Sequence, residues 1–153
     1  MGRMYSATIQ NQAVGTAPQD LFTMVGLTNV VFRIHSIVIT QGSDLGDAQE
    51  EGIRITLIMA ATAGSGGAAM TEQALEEGLP AADIAVTRNN TTQSTGGRVI
   101  HEEQMNNRVG FYYKPTPEER PTNAGTASFV VAMNSTLLDA MNMSATVVWE
   151  EIG

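Results

Sequence analysis

The chain contains no cysteine among its 153 residues. This absence excludes thiol catalysis, thiolate metal sites and disulfide bonds together, and it is compatible with synthesis in a reducing cytosol. With 42% hydrophobic residues, a chain of this length can bury an apolar core without a covalent staple. The sequence therefore predicts one domain, residues 1–153, that is stabilised by packing and backbone pairing and needs no cofactor.

Positive charge is scarce. Eight basic residues stand against sixteen acidic ones, the net charge is -8, and Lys114 is the only lysine. Because this charge repels phosphate backbones, no nucleic acid is expected as a partner. No apolar run approaches the roughly 20 residues that a membrane helix requires, so no membrane segment is predicted either.

Long helical patterns are also missing, whereas valine, isoleucine and threonine together number 39. These residue types pack well on pleated sheets. Apolar residues alternate with polar ones in "GIRITLIMA" and again in "MSATVVWEEIG". We predict about nine short strands, near residues 4–14, 20–25, 30–40, 52–61, 83–88, 97–102, 108–114, 125–133 and 142–152.

Strands of this length between Gly, Pro, Asn and Asp clusters are typical of a β-sandwich, a jelly roll or a barrel. The predicted class is all-β, with at most one short helix at residues 71–78, where Thr71 could cap and Gly78 and Pro80 would end it. The segment "AATAGSGGAAM", residues 60–70, has little side-chain surface to bury. It is predicted to be a surface loop that a neighbour orders.

The residues that could carry chemistry form no convergent set. His35 shares a predicted strand face with Arg33, Ile37 and Ile39, which favours a histidine satisfied by a neighbouring side chain. His101 and Glu103 could project from one strand face, but metal centres of that kind need further ligands. No G-x-S-x-G elbow is present. The sequence predicts neither an enzyme nor a transition-metal site.

The acidic loop "SDLGDAQEEG" supplies the oxygen ligands that calcium prefers. It holds four carboxylates but lacks the order of an EF-hand loop, and exposed acids between strands usually serve solvation. Calcium binding therefore stays open for the residues Asp44, Asp47, Glu50 and Glu51.

The stretch "GFYYKPTPEERP" places three of the eight aromatic residues side by side and follows them with three prolines. Alternation puts Val109, Phe111 and Tyr113 on one face and Tyr112 on the other. A stiff, charged loop beside aromatic rings suits protein docking, because little conformational entropy is lost on binding. A core strand that runs into a rigid turn explains the same pattern. Under the docking interpretation, the candidate interface comprises Tyr112, Lys114, Glu118, Glu119 and Arg120.

The order of "MYSATIQNQAV", "DLFTM", "FRIHSIVITQGSDLGDAQEEGIRITLI", a Gly/Ser/Ala loop, "GFYYKPTPEERP" and "MSATVVWEEIG" resembles small β-rich structural proteins of tailed bacteriophages. The resemblance covers most of the chain and is firmest at residues 43–58 and 110–121. It implies a capsid decoration, or cement, protein with a jelly-roll-like fold. Such a protein would be made in the host cytoplasm, would bind the major capsid protein on the outer capsid surface, and would form a homo-oligomer, with a trimer favoured.

Two alternatives stay open. One is a tail, baseplate or spike component of the virion. The other is a carbohydrate-binding or receptor-binding jelly roll in which Tyr112, Tyr113 or Trp149 acts as a stacking platform.

Overall fold

The computed structural model of the chain describes residues 2–46 and 50–152. All of its strand pairs are antiparallel, and they form two packed sheets, which confirms the predicted all-β class. The strands are β1 (Arg3–Val14), β2 (Gln19–Gly26), β3 (Val31–Gln41), β4 (Gly52–Ala61), β5 (Ala68–Ala69), β6 (Gln73–Ala74), β7 (Ile84–Asn90), β8 (Arg98–Asn106), β9 (Phe111–Tyr113), β10 (Thr122–Ala124), β11 (Ser128–Met133) and β12 (Met141–Ile152). Within the described ranges, helical structure is limited to one 3₁₀ turn at Pro117–Glu119, and no helix is long and apolar enough to cross a membrane.

The two sheets are built by a chain that folds back on itself. Sheet A has the order β6-β1-β12-β3, and β9 and β10 both pair with the remaining edge of β3; sheet B has the order β5-β7-β2-β11-β4-β8. The first four strands pair with later strands in reverse order: β1 with β12, β2 with β11, β3 with β9 and β10, and β4 with β8. This wrapped arrangement gives a jelly-roll-like sandwich.

The core lies between the inner faces of the two sheets. The predicted inner face of β4 is confirmed, because Ile53, Ile55 and Leu57 are fully buried and Met59 nearly so. The alternation predicted for the last strand is also confirmed, since its inner residues are buried as far as Trp149. The largest fully buried side chains are those of Trp149, Tyr5, Phe22, Phe32, Phe111 and Phe129.

A β-bulge in β3 corrects one prediction about His35. The register between β3 and β12 shifts by one residue there, so Phe32 and Ile34 are buried before the bulge and Ile37 and Ile39 after it. Because the extra residue inverts the alternation, His35 lies on the outer face with Arg33, opposite Ile37 and Ile39. The predicted shared face was therefore wrong.

The helix predicted at residues 71–78 is also wrong. Residues 73 and 74 form β6, which pairs with Tyr5 and Ser6, and the Leu75 N–H continues this contact by donating to the Met4 carbonyl at 2.9 Å. Leu75 is 56% exposed, so the segment has no apolar stripe to bury. A helix of two turns without such burial is unstable, whereas edge pairing satisfies the backbone directly.

Two connections, which we call the crossing segments (residues 62–67 and 91–97), run over the outer face of sheet B. The second one links β7 to β8, which lie four strand spacings apart in the sheet, about 19 Å. The two segments pair with each other through Thr62 with Thr95 and Ser65 with Thr92. They also bind the sheet, since the Ser94 N–H donates to Asp20 Oδ2 at 2.7 Å. Residues of the outer face such as Thr23, Thr56 and Val130 are consequently buried.

The small residues of the crossing segments have a packing role. A Cβ atom at Gly64 would lie 2.1 Å from the Thr92 carbonyl oxygen, and one at Gly97 would lie 2.7 Å from that of Met59. Only glycine permits backbones to approach so closely. Residues 60–70 are mostly exposed, as expected of a surface loop. They are ordered by this chain itself, through pairing with residues 91–97 and, at Ala68–Ala69, with β7.

Candidate functional site

A groove lies where the edge of sheet B meets the edge of sheet A. We call it the β8–β9 groove; it has a volume of about 400 Å³ and is lined by Ile100, His101, Glu103, Tyr112, Tyr113, Lys114, Pro115 and Glu119. Its two walls belong to different sheets and are distant in sequence. The groove therefore exists only in the folded sandwich.

Aromatic rings join the two walls. The ring of His101 on β8 lies 5.0 Å from that of Tyr113 and 6.0 Å from that of Phe111, both on β9. The rings of Phe111 and Tyr113 are nearly parallel, with centroids 6.5 Å apart. Phe111 is buried, whereas Tyr112 between them is 63% exposed, so the two lie on opposite faces as predicted. The pleat of β9 thus anchors one ring in the core and presents the next to the solvent.

Carboxylates give the groove a negative character. His101 Nε2 lies 3.3 Å from Glu103 Oε2, so these two side chains do share a strand face, as predicted. Burial, with a smaller contribution from the charge of Glu119, raises the pKa of the Tyr113 hydroxyl, which stays protonated at neutral pH. Lys114 supplies the opposing positive charge. Within residues 2–46 and 50–152, no group of three or more His, Cys, Asp or Glu side chains could hold a metal ion.

The loop beyond Lys114 is fixed at both ends by β3. β9 pairs with Ile37–Ile39, β10 pairs with Val31–Arg33, and between them the Pro121 carbonyl accepts a hydrogen bond from the Ile34 N–H at 2.9 Å. Within the loop, the Thr116 hydroxyl donates to Glu119 Oε2 at 2.9 Å and closes the 3₁₀ turn. The loop is thus clamped in one geometry, and its prolines restrict it further.

Three of the five candidate interface residues lie together in the groove. Tyr112, Lys114 and Glu119 line the groove. Glu118 is exposed on the 3₁₀ turn nearby, outside the groove lining. Arg120 is half-buried, and its Nε is enclosed without an acceptor in the part of the chain that the structure describes. Its exposed fraction is therefore smaller than that of Tyr112.

The structure contradicts the predicted positions of two apolar side chains, Val109 and Trp149. Val109 was predicted to share the face of Phe111, but it lies in the turn before β9 and is 69% exposed. Trp149 was a candidate stacking platform, but it is fully buried on β12, where its ring stacks 5.9 Å from that of Tyr5. Only Tyr112 and Tyr113 keep the stacking role open.

His35 and the acidic loop make ordinary structural contacts. His35 Nε2 lies 3.1 Å from Glu150 Oε2, which confirms that a neighbouring side chain satisfies this histidine. Asp44 accepts a hydrogen bond from Asn107 at 3.2 Å, Glu50 lies 3.3 Å from Arg108, and Glu51 accepts from the Leu138 N–H at 2.7 Å. Asp47, the remaining acid of that loop, lies outside the described residues.

Sequence reasoning missed two buried carboxylates. Glu151 Oε1 accepts hydrogen bonds from the backbone N–H groups of Asp83 and Ile84 at 2.8 and 3.0 Å, and Oε2 pairs with Arg3 at 3.0 Å. Asp20 is fully buried beneath the crossing segments. The alternation of β12 places residue 151 on the core face, and this signal could have identified Glu151 as a buried charge. No such signal marks Asp20.

Compared with protein-family models, with curated proteins and with solved structures, the chain finds no match.

Proposed function

We propose that this protein is a non-enzymatic structural component of a tailed-bacteriophage virion, of the capsid-decoration type. In this role it binds the major capsid protein on the outer surface of the shell and bridges neighbouring subunits. The β8–β9 groove, with Tyr112, Lys114 and Glu119 at its rim, is the proposed docking surface. The resemblance set out above is the source of the virion assignment.

The observation that carries the proposal is the exposed ring of Tyr112 beside a loop clamped at both ends. Tyrosine is enriched among interface residues whose loss weakens binding strongly, because its ring buries a large area at a small entropic cost. Here the ring is 63% exposed, while its neighbours Phe111 and Pro121 are buried and hold the backbone in place. The loop therefore loses little further conformational entropy on binding, and most of the contact energy contributes to affinity.

The charge and the fold are compatible with that role. A net charge of -8 keeps the protein away from packaged nucleic acid. Many copies on one shell add their individually weak contacts through multivalency. The resemblance favours a trimer, and light scattering of the purified protein tests this directly: three times the monomer mass is expected, and a monomer would contradict it.

Co-sedimentation with empty shells of the major capsid protein encoded in the same genome tests the docking proposal. Tyr112→Ala should weaken binding by at least about tenfold. Leu75→Ala is the matched control, because Leu75 is a similarly exposed apolar residue, 56%, beside β6 at the other edge of sheet A. Unchanged binding of Tyr112→Ala would move the docking surface elsewhere. Binding to purified tails instead of shells would favour a tail, baseplate or spike component.

The size and lining of the groove also favour a second candidate, a carbohydrate-binding module. A volume of about 400 Å³ lies within the range of small-molecule sites, and Tyr112 and Tyr113 stand beside the carboxylates of Glu103 and Glu119. Rings can stack on sugar faces while carboxylates accept hydrogen bonds from hydroxyl groups. Calorimetric titration with a glycan panel tests this: binding that Tyr112→Ala abolishes would support the module, and no heat with any glycan would exclude it for that panel.

A further inference from the structure

We propose that the free edge of β8 accepts an extended, positively charged segment of the partner as an additional strand of sheet B. The identity of the partner as a virion protein rests on the proposed function above; the strand-accepting edge rests on the geometry of this chain. The occupant is therefore defined by its chemistry: a β-strand in which basic residues alternate with apolar ones.

β8 is a long open edge of the sandwich. It pairs with β4 on one side and ends sheet B on the other. The other strands that end the two sheets, in the described part of the chain, have two or three residues each, whereas β8 has nine. An edge of that length presents a row of unpaired backbone N–H and C=O groups, which is a template for pairing with another chain.

The edge is regular from His101 onward, and its one irregularity falls at Ile100, which also lines the groove. From His101 to Asn106 the register against β4 is continuous. The Asn106 carbonyl already accepts hydrogen bonds from the Val109 and Gly110 N–H groups. The five regular residues before it offer a pairing length of about 17 Å. β8 contains no proline or glycine, and its Val99 is 60% exposed. These are properties of a strand with a vacant pairing side.

The carboxylates of β8 favour a positively charged strand as its partner. Glu102 and Glu103 are adjacent, so they point to opposite faces of the sheet, and both are exposed. Glu103 lies in the groove with Glu119, while Glu102 accepts a hydrogen bond from the Thr56 hydroxyl at 3.0 Å on the outer face. A strand beside β8 therefore meets a carboxylate on each of its faces, and the basic residues of an alternating strand, which all lie on one face, can pair with the carboxylate of that face.

The same carboxylates disfavour a second copy of this chain as the occupant. In an antiparallel pair of two β8 strands centred on this region, the acidic residues of one copy would stand opposite or diagonal to those of the other. Like charges in those positions destabilise a strand pair. The net charge of -8 on each copy adds long-range repulsion. A basic segment gains attraction from both sources.

The groove gives the occupant's side chains a place to pack. On the inner side of β8, Ile100, Tyr112 and Tyr113 present apolar surface beside Glu103. An apolar residue of the added strand can rest on these side chains, while the basic residues on either side of it point to the outer face and reach Glu102. Backbone pairing would provide affinity, and the alternation of the groove would provide specificity.

The test is hydrogen exchange of the purified full chain with synthetic peptides as probes. The first probe is a capped nine-residue peptide of alternating lysine and valine, used at millimolar concentration. We expect the exchange of about half of the amides in residues 98–106, those that face the free edge, to slow by at least about tenfold, because only alternate residues pair outward. The same peptide with glutamate in place of lysine should protect none of them.

Two further probes separate strand addition from adsorption by charge alone. They are the lysine–valine peptide N-methylated at alternate backbone nitrogens, in each of the two possible phases. In strand addition, one phase blocks the pairing side and abolishes protection, while the other leaves it intact. Equal protection by both phases, or protection spread outside residues 98–106, would overturn the proposal. So would the absence of protection with the unmodified basic peptide.

A charge-reversal variant tests the selection of a basic strand without altering the backbone. Glu102→Lys should weaken the binding of the lysine–valine peptide by at least about tenfold and bring its affinity closer to that of the glutamate peptide. Glu76→Lys, exposed at the opposite edge of sheet A, is the matched control and should change neither. Equal effects of the two variants would overturn the assignment of charge selection to β8.

Exchange measured with empty shells in place of peptides keeps this proposal distinct from the proposed function. Shell binding without protection of residues 98–106 overturns strand addition and leaves the decoration role in place. Peptide protection without any shell binding supports the strand-accepting edge and overturns the capsid partner.

Discussion

Replacing Phe111 with alanine should destabilise the fold, whereas the same change at the adjacent Tyr112 should not. Phe111 is 1% exposed, and its ring is nearly parallel to that of Tyr113 and lies 6.0 Å from that of His101. Truncating a buried phenylalanine costs about 3 to 5 kcal/mol of unfolding free energy. We expect about 3 kcal/mol, because β9 is a three-residue edge strand that can relax around the cavity.

In a domain of this size, each kcal/mol lowers the melting temperature by about 2 to 4 °C, so Phe111→Ala should lower it by about 6 to 12 °C. Tyr112→Ala should stay within about 0.5 kcal/mol of the wild type, as exposed substitutions usually do. Urea denaturation followed by the fluorescence of the buried Trp149 measures both values. Equal losses in the two variants would refute the assignment of the faces of β9 and, with it, the exposed docking ring.

Two further predictions concern the crossing segments. Burial raises the pKa of the Asp20 carboxyl above 3.8, although hydrogen bonds from Ser94 and Gln93 oppose this. The folded state then binds the proton more tightly than the unfolded one, and the contribution of Asp20 to stability declines as pH rises from about 3.8 through the raised pKa. Asp20→Asn removes this decline, so the unfolding free energy of the variant should rise relative to that of the wild type as pH increases. Urea titrations at acidic and neutral pH measure this difference. A difference that does not change with pH would contradict the burial of Asp20. Gly97→Ala should lower the melting temperature more than Gly96→Ala does. Both glycines have positive φ, which costs alanine about 1 to 2 kcal/mol at either position. Only at position 97 would the added Cβ also clash with the Met59 carbonyl oxygen. Equal losses would show that the crossing segment does not pack as closely as described.

The alternating strands were predictable because their pattern is read locally. Leu57 on β4 and Trp149 on β12 fall on the core face that the two-residue period assigns to them. The bulge at His35 was not predictable, since a single extra residue depends on the partner strand and leaves no mark on composition. The segment that became β6 has a helical composition, but its N–H groups are satisfied by β1, which is far away in sequence. Tertiary pairing overrode local propensity there.

The candidate site was predictable only in its β9 half. The run from Phe111 to Lys114 signals an aromatic edge by itself, and the prolines after it signal a stiff loop. The other wall comes from His101 and Ile100 on β8, and only the wrapping of the chain places them opposite Tyr113. The predicted strand near residues 97–102 extends in fact to Asn106, so the length of the open edge was also underestimated.

The central claim, that this sandwich decorates a phage capsid through the β8–β9 groove, is tested most directly by electron cryomicroscopy of empty shells incubated with the purified protein. The account predicts additional density on the outer capsid surface into which the jelly-roll-like sandwich fits, with Tyr112 and the edge of β8 turned toward the capsid subunits. Shells without added density, or a fit that turns the groove toward the solvent, would contradict it.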